Sequence, residues 1–183
     1  MIFQAINCIQ RQLNSFVNTD IGNIGEIVGS ANPPDSDADI LISLINIEEN
    51  RMSRDPRNYV SNGADILMKN PAVHLNLTLL FTALRSNSAY GFALQHLQRV
   101  IEFFQRKYVF DHVNTPVDLD AGIEKLILEM VSLNMEQLNN LWAILGGRYQ
   151  PSVVYRMRMV TIDSITDQEG SVIREIESRY FMK

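Results

Sequence analysis

The sequence predicts an α/β (α+β) domain in which one mixed β-sheet is flanked by helices. Three observations carry that expectation. Val73, Leu75, Leu77, Leu79 and Phe81 recur at every second position, the signature of a strand. Ile2, Ile6, Ile9, Leu13, Phe16 and Val17 instead follow the helical period. Between Ile123 and Asp163, two period-two runs flank a short helix that carries the chain's one tryptophan. The order helix, strands, helix, strand, helix, strand suits a single sheet with helices packed against it. A length of 183 residues fits one domain with a tail. The expected division is a domain over 1–165 and a C-terminal arm or hairpin over 166–183.

The first helix should cover residues 2–17, with Gln4, Asn7, Arg11 and Asn14 facing water. TDIGNIGEIVGS then reads as a short strand or turn, and SANPPDSDAD as a loop around Pro33-Pro34. Ile40, Leu41, Ile42, Leu44, Ile45 and Ile47 are apolar on both alternations, as in a strand covered on both faces. Arg51 to Asn70 is polar, contains Pro56 and the Asn62-Gly63 turn pair, and reads as a long projecting loop or hairpin. A helix opening near Ser88 carries Ala93, Leu97, Val100, Ile101 and Phe104, with His96 and Arg99 toward its exposed side. Val109 to Leu119 reads as a connection. In the next strand, Leu126, Leu128 and Met130 form one alternation and Ile123, Ile127 and Val131 the other. Asn134 is a good N-cap, and Gln137 completes a capping box. Leu138, Leu141, Trp142 and Leu145 line one face of the helix that follows, and Gly146-Gly147 ends it. Pro151 opens a last strand over residues 152–163. Ser164 to Lys183 turns near Gly170 and is read as a hairpin or an assembly arm.

Bulk properties narrow the function. Apolar residues make up 46% and charged residues 20% of the chain, ordinary values for a globular domain. A net charge of −5 argues against nucleic-acid binding, whose footprint is a basic patch. Cys8 is the one cysteine, so no intrachain disulfide forms, and a reducing compartment fits. MIFQAINCIQRQLNSF lacks the apolar stretch of a signal peptide, and no apolar run approaches the roughly 20 residues that span a bilayer. A soluble protein made in the cytoplasm is expected.

Catalytic chemistry is not legible. His74, His96 and His112 stand apart from one another and form no metal motif such as H-E-x-x-H. His112 beside Asp111 is the least ordinary of them, but no nucleophile motif accompanies the pair. Gly22, Gly25 and Gly29 do not match a phosphate loop and read as turn glycines. Asn76-Leu77-Thr78 fits a glycosylation acceptor, yet it lies mid-strand. Trp142 is expected in the core. Arg156 and Arg158 alternate with Tyr155, Met157 and Met159 on the last strand. They read either as a solvated face or as the charged face of an edge strand that meets an acidic partner.

Several segments together resemble a known family: MIFQAINCIQRQLN, the GNI turn, NPAVHLNLTLLFTA, LQHLQRVIEFFQRKYVF and EKLILEMVSLNMEQLNNLWAILGGRYQPSVVYRMRMVTID. They are similar to the N-terminal domain of the cap, or tail-terminator, proteins of extracellular contractile injection systems. Those systems include the antifeeding prophage and the Photorhabdus virulence cassettes. The resemblance spans about residues 1–165 and is most specific in LNNLWAILGGRYQPSVVYRMRMVTID. It implies a fold similar to phage tail terminators and a hexameric ring that ends the inner tube and anchors the last sheath ring. The implied partners are further copies of the chain, the tube protein and the sheath protein. An adaptor role between the tube end and a second cap protein is the alternative within the family. No enzyme activity, cofactor, metal, nucleic acid or membrane insertion is implied; a small cytoplasmic enzyme or a signalling scaffold is the rival outside the family. Assembly would start in the cytoplasm, in a particle that is later released or membrane-associated. Arg51, Arg54, Arg57 and Asn62 on the long polar segment are the candidates for subunit or tube contact. Arg156, Arg158, Arg174, Tyr180 and Phe181 are the candidates for contact with sheath or a neighbouring subunit.

Overall fold

The structure, a computed structural model, describes residues 1–18, 22–25, 40–50, 59–62, 65–68, 74–84, 90–146 and 149–161, with backbone alone at 59–62, 65–68 and 160–161. In chain order the elements are α1 (Ile2–Val17), β1 (Gly22–Ile24), β2 (Ile40–Glu49), β3 (Tyr59–Asn62), β4 (Asp65–Met68), β5 (Leu75–Ala83), α2 (Tyr90–Arg106), β6 (Val109–Asp111), β7 (Ile123–Val131), α3 (Met135–Ile144) and β8 (Ser152–Thr161). Six strands form one sheet in the order β1-β2-β5-β8-β7-β6, and β3 and β4 form a separate ribbon. β1 runs parallel to β2, and the remaining neighbours in the sheet are antiparallel. The expected mixed sheet with flanking helices is present.

One sheet face holds the main core. Ile40 and Ile42 of β2, Leu77, Leu79 and Phe81 of β5, Tyr155, Met157 and Met159 of β8, and Leu126 and Leu128 of β7 point into it. Against them lie Ala5, Cys8, Ile9 and Leu13 of α1 and Ala93, Leu97, Val100 and Phe104 of α2. Phe104 joins the layers, its ring centroid 4.4 Å from Tyr155 and 5.4 Å from Phe81. Each large apolar side chain buried here stabilises the fold by about 1.5–3 kcal/mol. The other face is covered by α3, which seats Trp142 against Leu80 and Val154. The N-cap of α3 is as expected: Gln137 N donates to Asn134 Oδ1 at 2.8 Å, and Asn134 N donates to Gln137 Oε1 at 3.0 Å. Gly146 follows the C-cap at φ 112°, a conformation that a side chain would strain.

Two expectations change, and two open readings are decided. β8, for which an edge strand was one of the two readings, lies in the interior of the sheet and is paired along its length with β5 on one side and β7 on the other. Its backbone therefore cannot accept another strand. Val109 to Leu119 is more than a connection, because Val109–Asp111 forms β6 by pairing with Lys125–Ile127. Asn14, expected in water, accepts from Gly22 N at 2.8 Å and donates to Gly22 O at 3.2 Å, pinning β1 to α1. Within the long polar segment, Tyr59 faces Met68 and Asn62 faces Asp65 in an antiparallel hairpin. That decides between the loop and hairpin readings for those residues.

Candidate assembly surfaces

The register divides the α3 face of the sheet into two halves. Ser43, Leu80, Val154 and Val131 form one cross-strand row, and α3 covers it. The next row is Asn46, Thr78, Arg156 and Glu129, and the one beyond it is Glu48, Asn76, Arg158 and Ile127. Apart from Ile127 these two rows are polar, because no helix among the described residues lies over them and a strand face left in water selects such side chains. Arg158 pairs with Glu129 diagonally across β8 and β7. Both side chains are largely open to solvent, so the pair contributes at most about 1 kcal/mol. Arg156 is exposed and makes no ion pair among the described residues. Two arginines thus project from the rigid middle of a sheet, a placement suited to contact through side chains.

A second surface surrounds the turn between β6 and β7. Lys107, just past α2, donates from Nζ to Gln12 Oε1 at 2.8 Å, Asn114 O at 3.0 Å and Thr115 Oγ1 at 2.9 Å. Gln12 Nε2 donates in turn to Asp118 Oδ2 at 2.6 Å. Burial lowers the Lys107 pKa, the nearby Cys8, Asp111 and Asp118 acting the other way. Asp111 Oδ1 accepts from Val113 N at 3.0 Å and Asn114 N at 2.9 Å, an Asx turn. His112 Nε2 lies 2.8 Å from Ile123 O. Asp111 and His112 therefore each serve the local backbone, and neither orients the other. The sequence reading missed this cluster; the turn chemistry of Asp111, Asn114 and Pro116 was its visible signal.

The remaining candidates fall as follows. Asn62 ends β3 opposite Asp65, and Arg51, Arg54, Arg57, Arg174, Tyr180 and Phe181 lie outside the described residues. Cys8 is fully buried, and its thiol pKa is raised to about 11, first by burial and then by Asp118. Among the described residues no group of His, Cys, Asp and Glu is placed to hold a metal ion, and no helix is long and apolar enough to cross a membrane.

The family model described as the Pvc16 N-terminal domain matches residues 4–175. The chain belongs to this family. Two solved structures share the Pvc16 N-terminal fold. One is the sheath/tube terminator, in its extended state, of PVC, an extracellular contractile injection system: TM-score 0.64, 16% identity, covering 100% of this chain and 64% of that one. The other is the tube-terminating cap of the anti-feeding prophage: TM-score 0.60, 18% identity, covering 98% of this chain and 60% of that one. This Pvc16-type chain thus spans less than two thirds of either solved relative. No curated protein matches it in sequence. The similarity to terminator folds expected from the sequence is met, and the two solved Pvc16-type relatives are a sheath/tube terminator and a tube-terminating cap.

Proposed function

We propose that this chain is a cap of a phage-tail-like contractile injection system, a hexameric ring that ends the inner tube and holds the last sheath ring. The observation that carries the reading is the Pvc16 N-terminal match over residues 4–175, together with a fold shared with a tube terminator and a tube-terminating cap. The chemistry of the surfaces supports it. A terminator acts by shape and contact, and the polar rows around Arg156 and Arg158 offer contact from a strand that cannot be repaired into another sheet. Arg156 and Arg158 meet sheath or a neighbouring subunit through their guanidinium groups, which suit carboxylate partners. The ribbon of β3 and β4, with Asn62 and the adjoining Arg51, Arg54 and Arg57, reaches the tube or the next subunit. Residues 166–183, with Arg174, Tyr180 and Phe181, act as an arm. No catalysis or cofactor enters the role. The chain is made in the cytoplasm and leaves it as part of the particle.

Cryo-electron microscopy of particles purified from cells that carry or lack the chain tests this reading. The expected result is a closed ring of this chain at the tube end, and tubes of uncontrolled length in its absence. A second protein stacked on the ring would identify it as an adaptor. Particles that never contain the chain, with tube length unchanged by its loss, would overturn the proposal.

A further inference from the structure

The segment between β6 and β7 is held firmly yet turns two apolar side chains to solvent. Thr115 N donates to Asp111 O at 2.8 Å and Leu119 N donates to Thr115 O at 3.3 Å, so the segment winds in two turns. Thr115 and Leu119 point inward and are buried. Val113 and Val117, at the intervening positions, are 92% and 89% exposed. Asp111, Asn114 and Lys107 fix the backbone beneath them. Two valines on a pre-formed support make a small apolar knob whose ordering cost has already been met in folding.

A complementary feature stands at the far end of α2. Tyr90 and Leu94, one turn apart on the same side, are 53% and 46% exposed. Gly91 lies beside them on the helix surface, where an added Cβ would meet nothing within 4 Å among the described residues. Gly91 does not have a positive φ, so neither backbone geometry nor internal packing calls for glycine there. Gly91 stands in the first turn of α2 and leaves the helix surface there bare of a side chain, so another group can approach the backbone closely. Tyr90 and Leu94 border a dip in the helix surface at the missing side chain of Gly91, a hole able to take an apolar side chain. Charge agrees in sign. Three carboxylates, Asp111, Asp118 and Asp120, surround the knob against two cations, Lys107 and Arg11, whereas the first turn of α2 has no acidic residue to offset its positive dipole end.

α2 has 17 residues and is about 25 Å long at 1.5 Å per residue. Knob and hole thus sit at opposite ends of one rigid helix. We infer that the occupant of the hole is a second copy of this chain: Val113 and Val117 of one subunit seat at Gly91, beside Tyr90 and Leu94 of the next. The contact is head-to-tail, the class of interface that closes into a ring. The inference rests on the ring proposed above and supplies its subunit contact.

The test uses the purified full chain alone, so its outcome is independent of whether the chain is found on particles. A Leu94→Cys/Val117→Cys double variant is oxidised and run on denaturing gels; Cys8 is buried and does not compete. A ladder of covalent oligomers is expected, with loss of the ladder when Gly91→Met fills the hole or Val113→Asp charges the knob. Gly91→Met should melt no lower than the parent chain, which separates loss of contact from loss of fold. Mixing Gly91→Met, which keeps its knob, with Val113→Asp/Val117→Asp, which keeps its hole, should give a 1:1 dimer that grows no further in native mass spectrometry. No ladder from the double-cysteine chain, a ladder that survives Gly91→Met, or a mixture that stays monomeric would overturn the inference.

Discussion

Trp142 offers the sharpest test of the second core. It is 4% exposed and packs with Leu80 and Val154, while Ile45, Val131, Leu133, Leu138, Leu141 and Leu145 close around the group. Tyr149 meets its ring edge-on at 5.8 Å. Its Nε1 is buried and has no hydrogen-bond partner among the described residues. Trp142→Ala should cost about 3–5 kcal/mol through lost burial and the cavity left behind. Trp142→Phe loses about 1–2 kcal/mol of burial but removes a buried, unpaired N–H that itself costs about 1–3 kcal/mol. The two terms nearly cancel. For a chain of this size, 3–5 kcal/mol corresponds to a fall in Tm of about 6–20 °C for the alanine variant, against a few degrees at most for phenylalanine. Thermal unfolding followed by circular dichroism measures both. As the one tryptophan, Trp142 also reports its own exposure in wild-type chain by a red shift of emission on unfolding. Equal destabilisation by Phe and Ala would show that the N–H is satisfied. An alanine variant within about 1 kcal/mol of wild type would show that α3 does not form a core on this face.

Other expectations follow from single contacts. The Cys8 thiol, with an ordinary value of 9.0, is held at about 11 in the fold, so the folded state retains a proton that the unfolded chain loses. Its stabilising contribution is full below about pH 9 and is lost as pH rises to about 11, roughly 2–3 kcal/mol in all. Denaturant unfolding across that range should show a shallower decline in Cys8→Ala than in wild type. Tyr155 titrates alike in both chains and cancels; Lys107, whose pKa Cys8 raises, is removed from the comparison by making it in a Lys107→Gln background, where parallel slopes would contradict the assignment. Asn14→Ala strips both hydrogen bonds from the Gly22 backbone and should cost about 1–2 kcal/mol, read from the denaturation midpoint. Arg156→Gln removes an exposed charge that makes no ion pair among the described residues and places no second carboxylate opposite Glu129, so it should leave stability within about 0.5 kcal/mol while lowering the yield of capped particles. Unaltered capping would remove Arg156 from the proposed contact.

What was legible in the chain was written in short-range chemistry. The capping box of Asn134 and Gln137, the four-residue spacing through α1 and the alternation through β5 each involve residues within a few positions of one another. Any fold containing these segments must satisfy the same local constraints, so the elements could be placed before their neighbours were known. Trp142 could likewise be assigned to a core from its companions on one helical face. Where short-range patterns were weak, the reading stopped short. β6 has three residues, and pairing with β7 makes it a strand. Ile123 shares the core with Leu126 because the register shifts between Ile123 and Lys125, which breaks the alternation that grouped Ile123 with Ile127.

The sequence by itself determined the class of fold, the helices, the main strands and the family resemblance, because periodicity, capping and turn chemistry act between near neighbours. Only the tertiary structure decided that β8 is a central strand, that Arg156 and Arg158 point from its open face, and that Lys107 ties α1 to the turn carrying Val113 and Val117. Strand order and register depend on hydrogen bonds between residues far apart in the chain, and many pairings satisfy the same alternation. The fold selects among them by which arrangement buries both α1 and α2 on one face and α3 on the other. That choice is a property of the whole packed chain, and no segment of it carries the answer alone.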